Sequence, residues 1–523
     1  MQSQKKNELE IEEDETLLSK KIKIAGIYDP AENGLTIDMW SNSDGKRIID
    51  LLNKIKKKKL SEDAKEILNI SILTSSYFPQ KNISEDEFLK IKLDWLLQSG
   101  DLKLIEKYLI KNQNINKNLE LIKFLLDDYL SQSDIEKACS VFDILQEGVS
   151  DDYLSKYKIY CLINKNKKEE AQLLFDLKKE LGFKDIFFEK KFNFLMGYDS
   201  SQNKEISEKN ILDFHLSHRT NTEFSFSPNQ NTKKIIWKYL SSSNLLEKVD
   251  LIDLEDIERI KIIEKATNEG NYTEKDLFNL YKRFQFSIDQ LITVEDSYKL
   301  LSEYERRALL YQGIIIHNNA ERKIQLVKIL LDEFKKSKID NAFNKHLVKI
   351  LKEINKDEVP SNHVSFYDKK LESSIKVEKD IKFNNKILHQ SKLLNYFFKE
   401  MKKEKIEKEL ENILKKLAKD KNYYFTTKDF ILIESLINDG IKVPEKYISL
   451  LELYTSNIPT DIQVMLNDDE SGMILLRLVE IIGEDNFKDL GSETQYFIIA
   501  TLNKLNSNKL RNELILKILP FKV

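Results

Sequence analysis

The shortage of glycine and proline is the feature that most limits what this chain can fold into. Thirteen Gly and seven Pro occur among 523 residues, about a third and a quarter of the average shares of about 7% and 5%. The turns of sandwiches and barrels and the phosphate loops of nucleotide-binding α/β folds depend on these two residues. The chain is therefore expected to be mostly helical, and a large all-β fold is excluded.

Size and charge limit the class of protein further. A chain of 523 residues exceeds what one hydrophobic core usually serves, so it predicts several domains or a repeat array. Hydrophobic residues make up 41% of the chain, enough for a substantial core. Because 84 Lys and Arg nearly balance 87 Asp and Glu, the net charge is only −3. A nucleic-acid partner is unlikely on that ground, since no overall positive charge attracts it.

The N-terminal sequence and the longest apolar runs bear on location. Residues 1–25 are rich in acidic residues and lack the apolar core of a secretory signal, so they predict a disordered acidic tail. The apolar runs fall well short of the roughly 18 residues that a membrane-spanning helix needs. We therefore expect no membrane span and a cytoplasmic protein.

A spacing of 33 residues recurs between 85 and 200 and predicts tetratricopeptide-like repeats. Aligning 98–109, 131–142 and 164–175 places Gly100, Ser133 and Asn166 in one column. Each is expected to form the tight turn between two amphipathic helices. A second column, where the two helices of a unit would touch, holds the small residues Ala138 and Ala171 but departs from the pattern at Ile105. A third column holds the large residues Leu109, Phe142 and Phe175. The predicted fold is an α-solenoid of helix-turn-helix repeats with a C-terminal helical bundle, and an irregular bundle is the alternative.

Breaks in the apolar pattern divide the whole chain into seven predicted segments. Gly270 is expected to end one helix, and Thr273 with Asp276 to cap the next. The segments are the tail 1–25, N-terminal cap helices 26–84, repeats 85–200, a polar linker 201–235, helical pairs 236–356, a second linker 357–385 and a C-terminal helical bundle 386–523.

Four stretches resemble a known family. Residues 27–52, 257–287, 307–312 and 478–505 are similar to segments of a family of bacterial helical-repeat proteins that has no assigned activity, cofactor or catalytic residue. The resemblance extends over most of the chain. It implies a helical-repeat architecture and carries no function with it.

Three short motifs are candidate chemical sites. Asp44-Gly45-Lys46-Arg47 departs from a phosphate loop, because Trp40 and Arg47 stand where Gly and Ser or Thr are needed. Asp44 is better explained as the cap of the following helix, with Trp40 anchoring the chain against that helix. His215 and His218 have a spacing that metal ligands can use, but no further ligand follows, and the polar linker favours solvated side chains.

The third motif is Glu434-Ser435, a pair that also occurs in muramidase-type transglycosylases. The rest of that signature is missing, and a glutamate pointing outwards from an amphipathic helix is the commoner case. Cys139 and Cys161 fit neither a disulfide framework nor a zinc pattern, and both are interpreted as buried helix residues. We therefore expect no catalytic, cofactor-binding or metal-binding residue.

Two lysine-rich runs were also considered. The run 401–421 predicts an exposed helix face with many ion pairs four residues apart. The basic patch Lys54 to Lys59 could contact phosphate groups.

The predicted function is a non-catalytic scaffold or adaptor. A protein partner is expected to bind as a peptide or segment in the solenoid groove between about 85 and 200, and self-association through the C-terminal bundle is possible. The alternatives are a nucleic-acid-associated factor that uses Lys54 to Lys59 and a hydrolase with an unrecognised site. The residues that contact a partner are not identified by the sequence.

Overall fold

The computed structural model describes residues 24–112, 119–144, 151–200, 203–372, 383–399, 401–420, 422–447 and 458–520. Most of these residues are helical, and no β-strand forms among them beyond three isolated bridges. The prediction of an all-α fold is confirmed. Within the described ranges, none of the helices combines the length and the apolar character that crossing a bilayer requires.

The α-helices follow one another closely along the chain. Those before residue 300 are α1 Gly45–Ile55, α2 Glu62–Leu73, α3 Glu85–Ser99, α4 Leu102–Lys111, α5 Leu119–Ser131, α6 Ile135–Ile144, α7 Asp152–Asn164, α8 Lys168–Glu180, α9 Ile186–Met196, α10 Ile211–Arg219, α11 Lys234–Ser242, α12 Ile257–Asn268, α13 Glu274–Lys282, α14 Ile288–Ile292 and α15 Val294–Ser297. Those after residue 300 are α16 Glu303–Ile316, α17 Ala320–Lys336, α18 Lys345–Lys352, α19 Ser361–Glu372, α20 Lys403–Leu417, α21 Thr427–Asn438, α22 Thr460–Asn467, α23 Ser471–Ile482, α24 Ser492–Lys504 and α25 Asn508–Ile518.

Short 3-10 segments lie between several of these helices. They are Ala31–Asn33, Val249–Leu251, Tyr298–Leu300, Asp340–Phe343, Lys356–Glu358, Leu388–Gln390, Lys392–Phe397, Glu445–Tyr447 and Phe487–Asp489.

Helix ends are set by local side chains. Gly270, with φ of +82°, follows the end of α12 in the left-handed region where glycine meets no steric penalty. Thr273 and Asp276 then form a reciprocal capping box at the start of α13. Both predicted caps are confirmed. Each satisfies backbone groups that a helix end otherwise leaves unpaired.

The three turn residues aligned at 33-residue spacing share one backbone conformation. Gly100, Ser133 and Asn166 have φ angles of +62°, +60° and +60°. They lie between α3 and α4, α5 and α6, and α7 and α8. A left-handed backbone conformation is uncommon at a non-glycine residue. Its occurrence at both Ser133 and Asn166, in the same column as Gly100, agrees locally with the predicted repeat of 33 residues. Stacking of these pairs into a solenoid stays a prediction.

The described chain forms two compact units. The first unit consists of the described residues of 1–121 and 379–523, and the second of those of 122–378. In the first, α2 packs on α23, where Ser71 Oγ donates a 3.2 Å hydrogen bond to the backbone oxygen of Gly472. The backbone nitrogen of Phe487 donates to Asp63 Oδ2 at 2.7 Å. Helices predicted as an N-terminal cap and a C-terminal bundle thus share one core.

The second unit contains an extended apolar core between α11 and α19. An ion pair lies inside it: Arg307 of α16 donates from Nε to Glu264 Oε1 at 2.9 Å and from Nη2 to Glu264 Oε2 at 2.6 Å. Tyr281 Oη also donates to Oε1 of this carboxylate. Both charged side chains are almost completely buried, so each depends on the other for compensation of its charge.

Both predicted linkers contain ordered helix. Helix α10 occupies 211–219 within the segment 201–235, and its residues from Ile211 to Ser217 are buried. Helix α19 occupies 361–372 within the segment 357–385. The polar residues that suggested a linker at 216–234 lie mostly after α10, where a loop leads to α11.

Candidate interaction surface

The Asp44 motif caps a helix, as predicted. Asp44 Oδ1 accepts from the backbone nitrogens of Lys46 and Arg47 at 2.8 and 3.4 Å, at the start of α1. Trp40 was expected to anchor the chain against α1. It is completely buried, and it packs closely against α23 and α3. A Cβ placed on Gly472 would lie 2.5 Å from the Trp40 indole, and the ring of Phe88 packs edge-on against it at 5.4 Å.

His215 lies in the core and His218 is half-buried beside it, so the expectation of solvated histidines in a linker is wrong for His215. Its side chain is 2% exposed, with Nδ1 2.8 Å from Tyr239 Oη and Nε2 2.8 Å from Tyr160 Oη. His218 Nδ1 lies 2.7 Å from the same Tyr239 hydroxyl. Burial, with smaller contributions from Arg219 and His218, lowers the pKa of His215 to about 3. A neutral imidazole held between two hydroxyls is a structural element of the core.

Within the described ranges, no group of three or more His, Cys, Asp or Glu side chains is arranged so that it could hold a metal ion. His215 and His218 both approach Tyr239. The spacing of the two histidines serves this shared contact.

The two cysteines are buried, as predicted, but they are not independent. Cys139 of α6 and Cys161 of α7 form a disulfide, with their Cα atoms 5.5 Å apart. Adjacent helices bring the two residues together over a separation of 22 residues. Spacing alone did not predict this pairing, because it depends on how the helices face each other.

Glu434 does not point freely outwards, contrary to the expectation from its helix. Its Oε1 accepts a 2.5 Å hydrogen bond from Tyr496 Oη, which connects α21 to α24. Burial raises the pKa of the Glu434 carboxyl above its ordinary value. The hydrogen bond to Tyr496 gives the Glu434 carboxyl a structural role, because it links two packed helices.

The basic patch is partly occupied by contacts inside the first unit. Lys54 Nζ lies 3.8 Å from Glu480 Oε1, and Lys58 Nζ donates to the backbone oxygen of Glu480 at 2.8 Å. The backbone nitrogen of Lys59 donates to Glu484 Oε1 at 3.1 Å. The lysines therefore lie at the C-terminal end of α23, whose partial negative charge attracts them.

The lysine run at 401–421 forms the exposed charged face that was predicted on α20, opposite a buried stripe. The expected ion pairs four residues apart are absent from this described helix. Its acidic residues instead contact the segment after α21: Glu411 Oε1 lies 3.1 Å from Lys446 Nζ, and Glu407 Oε1 accepts from the backbone nitrogen of Lys442 at 2.9 Å.

An exposed leucine stripe on α8 stands out in the predicted repeat region. Leu173, Leu177 and Leu181 are 73%, 50% and 73% exposed. Leu173 and Leu177 lie one above the other on consecutive turns of α8, and Leu181, four residues further on, is the residue that caps its C-terminal end. The opposite face of α8 is the one that packs, through buried Ala171 and Phe175. We call Leu173, Leu177 and Leu181 the leucine stripe.

The leucine stripe is bordered by acidic side chains. Glu169, Glu170, Asp176 and Glu180 are all exposed and lie three or four residues from a stripe leucine. Asp176 accepts from Gln172 at 2.8 Å, and Glu170 pairs with Lys167 at 2.9 Å. Because Lys167 offsets the charge of Glu170, the negative border of the stripe consists of Glu169, Asp176 and Glu180.

The lysines of α8 do not neutralise this border, because they are engaged elsewhere. Lys178 is buried and lies 3.2 Å from Asp152 Oδ1 of α7, and Lys179 forms an ion pair with Glu189 of α9. Lys168 Nζ donates to the backbone oxygen of Met196 at 3.3 Å.

Sequence reasoning missed the leucine stripe because α8 carries two apolar stripes. Ala171 and Phe175 belong to the aligned repeat columns, and they satisfy the packing of the helix. The second stripe was visible as three leucines at spacings of four, but the pattern alone did not say which stripe is buried.

No family model matches the chain, and searches among curated proteins and solved structures find no match either. The resemblance to a bacterial helical-repeat family accordingly stays a prediction.

Proposed function

We propose that the protein is a non-catalytic scaffold or adaptor whose tetratricopeptide-like helices between 85 and 200 bind a protein partner. The single observation that supports this most is the leucine stripe. Two large apolar side chains on successive turns of α8 and a third at its C-terminal cap, all exposed to water, form an apolar patch that a partner could cover at a gain in free energy. The cytoplasmic location, the solenoid arrangement and self-association through the C-terminal bundle remain predictions that accompany this proposal.

The partner segment that fits best is an amphipathic helix with apolar residues on one face and Lys or Arg beside them. Amphipathic helices recognise partners through apolar anchors spaced at three, four and seven residues, and the spacing of four between successive stripe leucines falls within that pattern. Glu169 and Glu180 form no hydrogen bond or ion pair with any described residue, so both carboxylates are available to basic side chains. Opposite charges around an apolar centre favour this partner over an acidic one.

Synthetic helical peptides test the proposal directly. One peptide carries a leucine stripe bordered by lysines, and a matched peptide carries the same stripe bordered by glutamates. Fluorescence anisotropy measures the binding of each to the full chain. We expect the basic peptide to bind at least about tenfold more tightly, with weaker binding at high salt because salt screens exposed charges.

The variant Leu173→Ser/Leu177→Ser/Leu181→Ser should lose this binding with unchanged circular dichroism, because the exposed side chains do not pack in the core. The matched control is Leu251→Ser/Leu300→Ser, which removes leucines that are 73% and 88% exposed elsewhere in the second unit. Equal binding of both peptides, or equal loss in the control, would contradict the proposal.

A further inference from the structure

A cavity of about 760 Å³ lies within the first unit, between the ends of α1 and α3, helix α2 and the start of α25. Its size falls in the range of small-molecule sites, about 300–1,000 Å³. Buried Leu52, Leu68 and Leu510 contribute to an apolar wall. All of its lining residues belong to the first unit.

Two aromatic side chains line this cavity. Trp95 is held in orientation, because its indole Nε1 donates a 2.7 Å hydrogen bond to Asn69 Oδ1. Tyr28 lines the cavity as well. An oriented indole with apolar neighbours offers a surface on which a flat group can stack.

Five lysines also line the cavity: Lys56, Lys58, Lys59, Lys65 and Lys509. Two are engaged, since Lys58 Nζ donates to the Glu480 backbone oxygen at 2.8 Å and Lys65 Nζ pairs with Glu62 at 2.7 Å. The side chains of Lys56, Lys59 and Lys509 form no hydrogen bond or ion pair with any described residue. We call these three the free lysines.

The segment that carries the first two free lysines is held in place. The backbone nitrogen of Lys59 donates to Glu484 Oε1 at 3.1 Å, and that of Ser61 donates to the Gly483 oxygen at 2.9 Å. The backbone is thus fixed while the ammonium groups remain unpaired, and a ligand is not required to order it.

The acidic residues of the lining do not cancel these lysines. They are Glu62, Glu66, Asp101 and Glu513. Burial, together with the neighbouring Glu66 carboxyl, raises the pKa of Glu513 to about 7. Even with Glu513 fully ionised, the five lysines outnumber the four carboxylates, so the lining is positively charged.

We propose that this cavity binds a small organic anion, with a flat apolar body against Trp95 and a phosphate or carboxylate group on the free lysines. The apolar wall and the indole fit the body, and three unpaired ammonium groups fit the anionic group. A duplex or a long single strand would need an extended basic groove, whereas these three exposed lysines line one concave site.

Calorimetric titration of the full chain tests the proposal with two pairs of probes. Adenosine monophosphate and 2-naphthoate supply the phosphate and the carboxylate, and adenosine and 2-naphthol are their neutral counterparts. We expect at least one anion to bind at least about tenfold more tightly than its neutral counterpart. Which anion binds distinguishes the two sources of negative charge. Failure of both anions to bind more tightly than their neutral counterparts, up to millimolar concentration, would overturn the proposal.

The variant Lys56→Gln/Lys59→Gln/Lys509→Gln locates the site. The matched control Lys57→Gln/Lys405→Gln/Lys408→Gln removes the same charge from exposed lysines of the first unit that do not line the cavity. The first variant should weaken the anion at least about tenfold and the control less than about twofold. Equal weakening in both would mean diffuse attraction and would overturn the proposal.

The Glu513 carboxyl gives an independent readout. It lines the cavity together with Glu62 and Glu66 of α2, Lys509 of its own helix, and Lys56, Lys58, Lys59, Lys65 and Asp101, and it is also influenced by Lys517, which pairs with Asp63. Glu513 gains negative charge as pH rises from about 6 to about 8, so 2-naphthoate should bind more weakly at the higher pH. Glu513→Gln keeps a neutral hydrogen-bonding group and should remove this dependence. A wild-type dependence that persists in the variant would contradict this role.

Discussion

Acidification should destabilise the second unit through one residue, His215. The imidazole lies between Tyr160 Oη and Tyr239 Oη in the core, where its charged form has lost contact with water. Burial lowers its pKa from 6.5 to about 3 in the folded chain. The unfolded chain therefore binds a proton at pH values where the folded chain does not.

The sign and size of the effect follow from this difference. Because the folded pKa is depressed, the contribution of His215 is fully present above pH 6.5 and is lost as pH falls from 6.5 towards about 3. At about pH 5, which is about 1.5 units below the ordinary pKa of 6.5, only the unfolded chain binds the proton. Since one pKa unit corresponds to about 1.36 kcal/mol, this lowers the free energy of unfolding by about 2 kcal/mol. Near pH 7.5 the cost is close to zero.

The variant His215→Gln isolates this effect. Glutamine cannot take up a proton in this range, so any damage to packing should be the same at both pH values. Urea unfolding at about pH 7.5 and about pH 5, followed by circular dichroism, gives the free energy of unfolding of each protein. Hydrogen exchange of a peptide over 211–219 assigns the change to α10.

The wild-type chain should lose about 2 kcal/mol more than the variant between the two pH values. Other titrating groups, His218 included, are present in both proteins and cancel in the difference. Equal losses in the two proteins would refute the reasoning, because they would mean that His215 takes up its proton without unfolding the core.

Three further predictions concern stability. Arg307→Met should lower the free energy of unfolding by about 3–5 kcal/mol in urea titrations, because it leaves the Glu264 carboxylate buried without a compensating charge. The double variant Arg307→Met/Glu264→Leu should recover most of this loss, and no recovery would show that the loss comes from packing. Without reductant, Cys139→Ala should have a free energy of unfolding about 3 kcal/mol below that of wild type, because the disulfide to Cys161 closes a loop across 22 residues. A reductant should remove most of this difference, and a difference that reductant leaves unchanged would argue against the disulfide. Gly472→Ala should reduce the free energy of unfolding by about 1–3 kcal/mol and so lower the melting temperature, because the added Cβ would lie 2.5 Å from the buried Trp40 indole. An unchanged melting temperature would show that the indole can move aside.

Local features were predictable from the sequence because short-range interactions create them. Asp44 caps α1, Thr273 and Asp276 cap α13, and each needs only side chains within three residues of a helix start. The left-handed turns at Gly100, Ser133 and Asn166 follow in the same way from small or polar residues between two apolar helices.

The candidate interaction surface was not predictable to the same extent. Both the buried pair Ala171 and Phe175 and the exposed leucine stripe have helical spacing. Which stripe is covered depends on where α7 and α9 lie, and a pattern within α8 carries no information about them. The cavity of the first unit was out of reach for a related reason, since its lining comes from both ends of the chain.

What the sequence by itself determined is the class of fold, the course of many helices and their caps, because propensity and capping act over a few residues. Tertiary structure alone decided that His215 is buried and that Cys139 forms a disulfide with Cys161. It also decided that Asp63 accepts a hydrogen bond from the backbone nitrogen of Phe487, 424 residues away in the sequence. Contacts of that separation arise when the whole apolar surface is buried at once, and no local pattern specifies which helices then face each other.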